Sequence, residues 1–161
     1  MKKITTAAAL FAFFALTSTA HAVTLTNAQI AALVSAETTI NKNITTLTTA
    51  VGLRSVHVIN KQDLNMIATL DNEEGNLLTL MTQDGLPPST IAAEYAVVTN
   101  WNALWATLYG SGISEEAVQG QEVALTMAYA NLATATSSIP SPGLANLLET
   151  NTEVIGYTSA E

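Results

Sequence analysis

The sequence predicts an all-α protein, an antiparallel four-helix bundle followed by a short fifth helix near the C-terminus. Three observations lead there. Apolar residues recur at alternating spacings of three and four along most of the chain, which draws one stripe down a helix and not the every-second-residue pattern of a strand. Several stripes open on Ser or Thr and close on Gly or Pro, the residues that start and stop helices. The stripes are joined by short connections, which make successive helices antiparallel neighbours. The many threonines pull locally towards strand, but the period decides for helix.

Ahead of the helices, residues 1–22 read as a cleaved secretory signal. Met1-Lys2-Lys3 is a positive start, Ala7 to Leu16 is an apolar run containing Leu10, Phe11, Phe13 and Phe14, and Thr19-Ala20-His21-Ala22 is a small-x-small cleavage site. The run is far short of the ~20 residues that span a bilayer. No Cys follows for lipid attachment and no Arg pair precedes the run. The expectation is export by the general secretory route to the periplasm or medium, with residues 23–161 as one helical-bundle domain and no membrane association once the signal is removed.

The first helix is opened by Thr26-Asn27-Ala28-Gln29, where Thr26 and Gln29 have capping-box spacing. Its stripe is Ile30, Leu33, Ile40, Ile44, Leu47 and Val51, and Gly52 ends it. The second carries Val56, Ile59, Met66, Leu70, Leu77 and Leu80, with Gly75 as an interruption, and stops at Asp84-Gly85-Leu86-Pro87-Pro88. Ser89 or Thr90 caps the third, whose stripe is Ile91, Tyr95, Val98, Trp101, Trp105 and Leu108 and whose end is Gly110. Ser114 caps the fourth, with Glu115 and Glu116 at the positive end of the helix dipole and Val118, Leu125, Tyr129 and Leu132 facing inward. Ser141 with Pro142 opens the fifth, carrying Leu144, Leu147, Leu148 and Ile155.

Composition narrows function. Past residue 22 the chain has three basic residues, Lys42, Arg54 and Lys61, against thirteen acidic ones, a net of −10. Such a field repels polyanions, so nucleic acid is excluded as a partner. The chain has no Cys, which removes thiol nucleophiles, disulfides, covalent haem attachment and thiolate metal sites. A domain of this length buries roughly two-thirds of its unfolded surface and folds without staples.

Leu25-Thr26-Asn27-Ala28-Gln29-Ile30, Ser114-Glu115-Glu116-Ala117-Val118-Gln119-Gly120-Gln121, and the run from Ile139-Pro140 through Leu144-Ala145-Asn146-Leu147-Leu148-Glu149 resemble segments of a bacterial periplasmic ferritin-like family, domain of unknown function 4142. The resemblance implies a ferritin-like bundle with acidic and histidine side chains on several helices that bind metal. Carried over one at a time, those positions fall near Asn41, Ile67, Leu125 and Tyr157, none of which is a ligand of the implied type. Beyond the signal only His57 remains, and there is no Glu-x-x-His, so the usual di-iron carboxylate set cannot be assembled.

Two carboxylates interrupt apolar stripes and are the candidate metal ligands, Glu37 between Leu33 and Ile40, and Asp63 between Ile59 and Met66. Buried carboxylates are costly unless paired or metal-bound. With the turn placed at Gly52-Leu53, the two stand on the order of 7 Å apart along the bundle, and Glu94 or Glu122 is placed to join them. His57 reads as a surface residue, Trp101 and Trp105 as core, Met66, Met81 and Met127 as too sparse for copper, and Asn43-Ile44-Thr45 as a chance glycosylation pattern. There is no nucleophile elbow and no phosphate loop, so neither catalytic residues nor a cofactor are assigned. The reading is a non-catalytic exported bundle, a ferritin-like relative without its histidines that acts through binding, an unknown protein partner included, or through a stress-related structural role. The alternatives are a carboxylate-based metal-binding bundle, and a periplasmic ATP-independent chaperone of the kind marked by Leu-Thr-x-x-Gln, matched once at Leu25 to Gln29.

Overall fold

The computed structural model describes residues 24–52, 60–109 and 114–158. The signal read at residues 1–22, His57, and the stripe positions Val56 and Ile59 lie outside the described residues. Five helices follow in order: α1 (Asn27–Gly52), α2 (Lys61–Gln83), α3 (Pro88–Tyr109), α4 (Glu115–Ala135) and α5 (Pro142–Thr158).

Local chemistry sets most of the ends. Thr26 and Gln29 form the reciprocal bonds of a capping box, the Gln29 amide donating to Thr26 Oγ1 at 3.2 Å and the Thr26 amide to Gln29 Oε1 at 2.8 Å. Ser114 Oγ accepts from the Ala117 amide at 3.1 Å, and Ser141 Oγ accepts from the Leu144 amide at 3.3 Å. Helix α2 departs from the sequence reading at its start. It begins only after Asn60, whose side chain accepts from the amides of Gln62 and Asp63, while Asp63 Oδ2 accepts from the Asn60 amide at 2.9 Å. It runs unbroken through Gly75 and ends in a Schellman turn, with Gly85 at φ 71° and the amides of Leu86 and Gly85 donating to the carbonyls of Met81 and Thr82.

The buried positions are Asp63, Ile67, Leu70, Glu74, Leu77 and Met81 in α2, and Thr90, Glu94, Val97, Trp101, Leu104 and Leu108 in α3. Both rows step four, three, four, three, four, the heptad seam of helices wound as in a coiled coil. The sequence reading was therefore out of phase in places. Ile67 and Met81 face inward rather than Met66 and Leu80, and Tyr95 is 62% exposed. Trp105 is half-buried and stacks on Tyr109 with ring centroids 4.8 Å apart. The error has one cause: Thr90, Glu94 and Glu74 occupy seam positions, and a search for apolar residues steps over them.

Each helix packs on two others, α1 on α2, α2 on α3, α3 on α4, α4 on α5, and α5 on α1. The five are staves of a closed ring, so α5 is a full wall standing between α4 and α1 rather than an addition to a four-helix core. Asn43 against Glu73 and Gln29 against Asp84 show that α1 and α2 are antiparallel. Asn41 against Asn151, with Gly143 beside Val34, shows that α1 and α5 are parallel. An odd number of alternating helices closed into a ring must contain one parallel pair, and this is where it falls.

Candidate functional site

One polar layer crosses the ring about midway along the staves, with a side chain from every helix: Glu37 from α1, Glu74 from α2, Glu94 from α3, Tyr129 from α4 and Asn151 from α5. All five are 0% exposed. Each takes a seam position, Glu74 between Leu70 and Leu77, Glu94 between Thr90 and Val97, Asn151 between Leu148 and Ile155. The heptad aims them at the axis as it aims the leucines.

The layer is held by two hydrogen-bonded chains. Trp101 Nε1 donates to the Tyr129 hydroxyl at 2.9 Å, and that hydroxyl donates to Glu74 Oε1. Since α2 and α4 are not neighbours in the ring, the tyrosine spans the lumen. In the second chain Asn41 Nδ2 donates to Asn151 Oδ1 at 2.7 Å, and Asn151 Nδ2 donates to Glu37 Oε1 at 2.5 Å. Four carboxyl oxygens are left with no protein donor: Glu37 Oε2, Glu74 Oε2, and both oxygens of Glu94. Glu94 lies close enough to Glu74 and Glu37 for their charge to oppose its ionisation.

Protonation follows. Burial pushes Glu74 up to about 7, against the hydrogen bond it receives from Tyr129. Burial and then the charge of Glu74 hold Glu37 and Glu94 well above the carboxylate range, with Asn151 partly offsetting this at Glu37. Burial and the neighbouring carboxyls raise Tyr129 well above its ordinary value, so it remains a donor. Lys42 and Lys61 are exposed and neutralise nothing in the layer.

The two sequence-derived metal candidates are not brought together. The contacts of Asn43 with Glu73 and Gln29 with Asp84 set the α1–α2 register. They place Asp63 level with the last turn of α1, on the order of 20 Å along the bundle from Glu37 at 1.5 Å per residue. The earlier spacing assumed a turn at Gly52-Leu53, whereas α2 starts at Lys61. Asp63 serves as the third residue of the α2 capping box. Glu37 instead meets Glu74 and Glu94, and Glu94 was within sight of the sequence reading while Glu74 was not. Counting heptads from Leu70 and Leu77 would have found it. Among the described residues no group of three or more His, Cys, Asp or Glu side chains is arranged to hold a metal ion.

Of the positions carried over by resemblance, Asn41 belongs to the Asn151–Glu37 chain, while Ile67 and Leu125 are buried apolar residues. The side chain of Tyr157 lies outside the described residues. Asn43 Nδ2 donates to both oxygens of Glu73, at 2.9 and 2.8 Å, which ties down the residue of the glycosylation pattern. Met81 is fully buried and Met127 is 62% exposed, so the methionines do not converge.

Towards the end of the ring where α2 begins, a cavity of about 50 Å³ is lined by residues of all five helices, including Leu47, Ile67, Trp101, Leu125 and Ile155. That is room for a water or two, against the ~300 Å³ at which small-molecule sites begin. On the outside, Tyr95 and Tyr109 of α3 and Val123 and Met127 of α4 are exposed. No helix among the described residues is long and apolar enough to cross a membrane. Compared with known protein families, curated proteins and solved structures, the chain matches none.

Proposed function

We propose that this chain is an exported, non-catalytic helical bundle of ferritin-like descent whose outer surface, and not its core, does the work. One observation carries the proposal: its one assembled cluster of reactive side chains among the described residues, Glu37, Glu74, Glu94 and Tyr129, is wholly buried, so a substrate has no path to it. A polar layer with a carboxyl on each of three successive helices is what a ferritin-like ancestor would leave behind. The residues three places after Glu74 and Glu94 are Leu77 and Val97, where a di-iron bundle carries histidine. The closed ring of five is a departure from that ancestry. Tyr95, Tyr109, Val123 and Met127, exposed on the adjacent helices α3 and α4, are the apolar side chains on which a protein partner would be sought. The residue pattern at 1–22 supports export.

The test is elemental analysis of the untagged protein prepared from its native host without chelator, repeated after incubation with iron, manganese, zinc and copper. Metal-free protein in every case is the expected result. Near-stoichiometric metal that disappears in Glu37→Gln would overturn the proposal in favour of a carboxylate metal-binding bundle. A light-scattering assay separates the chaperone alternative, which requires suppression of a client's aggregation at stoichiometric ratios.

A further inference from the structure

With the outer surface taken as the working part of the molecule, on which this inference rests, we propose that α3 docks a second copy of the same chain, packed antiparallel along its outer face. Helix α3 carries a second seam. Opposite the buried row, Ala92, Tyr95, Thr99, Asn102, Ala106 and Tyr109 are all exposed. They step three, four, three, four, three over about 26 Å, the spacing at which one helix meets another. None of the six is charged, and the one charged residue of α3, Glu94, is buried. Each of the other helices shows a charge on its outside: Lys42 on α1, Lys61 on α2, Glu116 on α4, Glu149 and Glu153 on α5. With thirteen acidic residues against five basic ones, two copies repel each other over most approaches. Along α3 they meet without like charges, whereas a basic partner would be drawn to α4 and α5.

The order of residues along the seam is complementary to itself. In a two-fold antiparallel pair centred between Thr99 and Asn102, Ala92 of each copy faces Tyr109 of the other, Tyr95 faces Ala106, and Thr99 faces Asn102. The outer layers set a large side chain against a small one, which fills the contact without a clash, and one patch serves both copies. Slipping the pair by a heptad takes the alanines away from the tyrosines, and the polar central layer fixes the register. Tyr109 is held by its stacking on Trp105, with ring centroids 4.8 Å apart. The Thr99 hydroxyl donates to the Tyr95 carbonyl at 2.8 Å, so it brings no unpaired donor into the contact. A contact along one helix is small beside the roughly 1,600 Å² of a standard interface, and the dimer is therefore a reversible one.

The experiment is sedimentation equilibrium of the untagged protein from its native host, from about 10 μM to about 1 mM, the range in which a small interface associates. The mass is expected to climb towards twice that of the single chain. Ala106→Glu places a carboxylate against Tyr95 of the other copy and should weaken the association by at least about tenfold. Because Ala106 is exposed, the thermal melt of that variant in dilute solution should match the parent. The chain has no Cys, so an equal mixture of Thr99→Cys and Asn102→Cys proteins, mildly oxidised, should give the mixed disulfide in excess of random pairing. A monomer throughout, a dimer indifferent to Ala106→Glu, or disulfides that favour like with like would overturn the proposal. Metal content is read on the same samples. A metal-free monomer overturns the pairing alone and leaves α3 to a different partner, while near-stoichiometric metal overturns the surface reading whatever the mass.

Discussion

Tyr129 is the residue on which the layer turns, because it accepts from Trp101 and donates to Glu74 across the lumen. Tyr129→Phe keeps the volume and removes both bonds, leaving a buried indole N–H and a buried carboxyl oxygen without partners. We expect a loss of about 1–3 kcal/mol in unfolding free energy, measured by urea denaturation near pH 6. The two tryptophans separate at the same scale. Trp101 is 2% exposed, so Trp101→Ala should cost about 3–5 kcal/mol. Trp105, half-buried and stacked on Tyr109, should cost less than about 3 kcal/mol when replaced by Ala. Equal costs would show that the seam has been drawn on the wrong side of α3.

At the scale of the element, α2 offers a pair of glycines with opposite predicted signs. A Cβ on Gly75 meets nothing within 4 Å and the residue lies in a helix interior, so Gly75→Ala should stabilise by about 0.5–1 kcal/mol. Gly85 sits at φ 71° in the turn that ends the same helix, and Gly85→Ala should destabilise although its surroundings are equally open. Thermal melts of the two variants check both signs. Asp63 gives a third measurement: as a capping-box member its replacement by Ala should cost about 1 kcal/mol and leave metal content unchanged. The caps at Thr26, Ser114 and Ser141 were legible in the sequence because each is a bond within three residues. The start of α2 was missed because the apolar spacing was carried back through Val56 and Ile59, whereas Asn60 caps the helix.

For the whole molecule, closure is the property that matters. Removing α5 would uncover α1 and α4 along their length, since α5 stands between them. A chain ending at Pro140 should therefore lose cooperative unfolding by calorimetry, whereas a four-helix bundle with an accessory helix would keep it. The pH dependence also belongs here. The pKa of Glu74 is raised from 4.5 to about 7 on folding, so the folded state binds the proton more tightly than the unfolded one. Its contribution is fully present below the unfolded value and is lost as pH rises through about 7. Glu37 and Glu94, also raised by burial and by the charge of Glu74, contribute losses of the same sign as pH rises. Each proton contributes a slope of about 1.4 kcal/mol per pH unit across its window. The bundle should thus be more stable in mild acid than at pH 8.

What the sequence determined by itself is short in range. The three-four period makes helices of Asn27–Gly52 and its successors, and the side chains of Thr26, Ser114 and Ser141 begin three of them, because these effects act within one or two turns. The interruption at Glu37 was visible for the same reason, as a charged residue on an apolar stripe. Only the tertiary structure decided what that residue meets. Asp63 was paired with Glu37 on an assumed turn, and a shift of about ten residues in the α1–α2 register carried it to the far end of the bundle. Glu74, Glu94, Tyr129 and Asn151 come from four other helices, separated from Glu37 by 37 to 114 residues of chain. Nothing local to any of them signals the others. The ring, by closing five seams on one axis, brings three carboxyls into a space closed to solvent, and burial there, which no single helix possesses, raises their hold on protons.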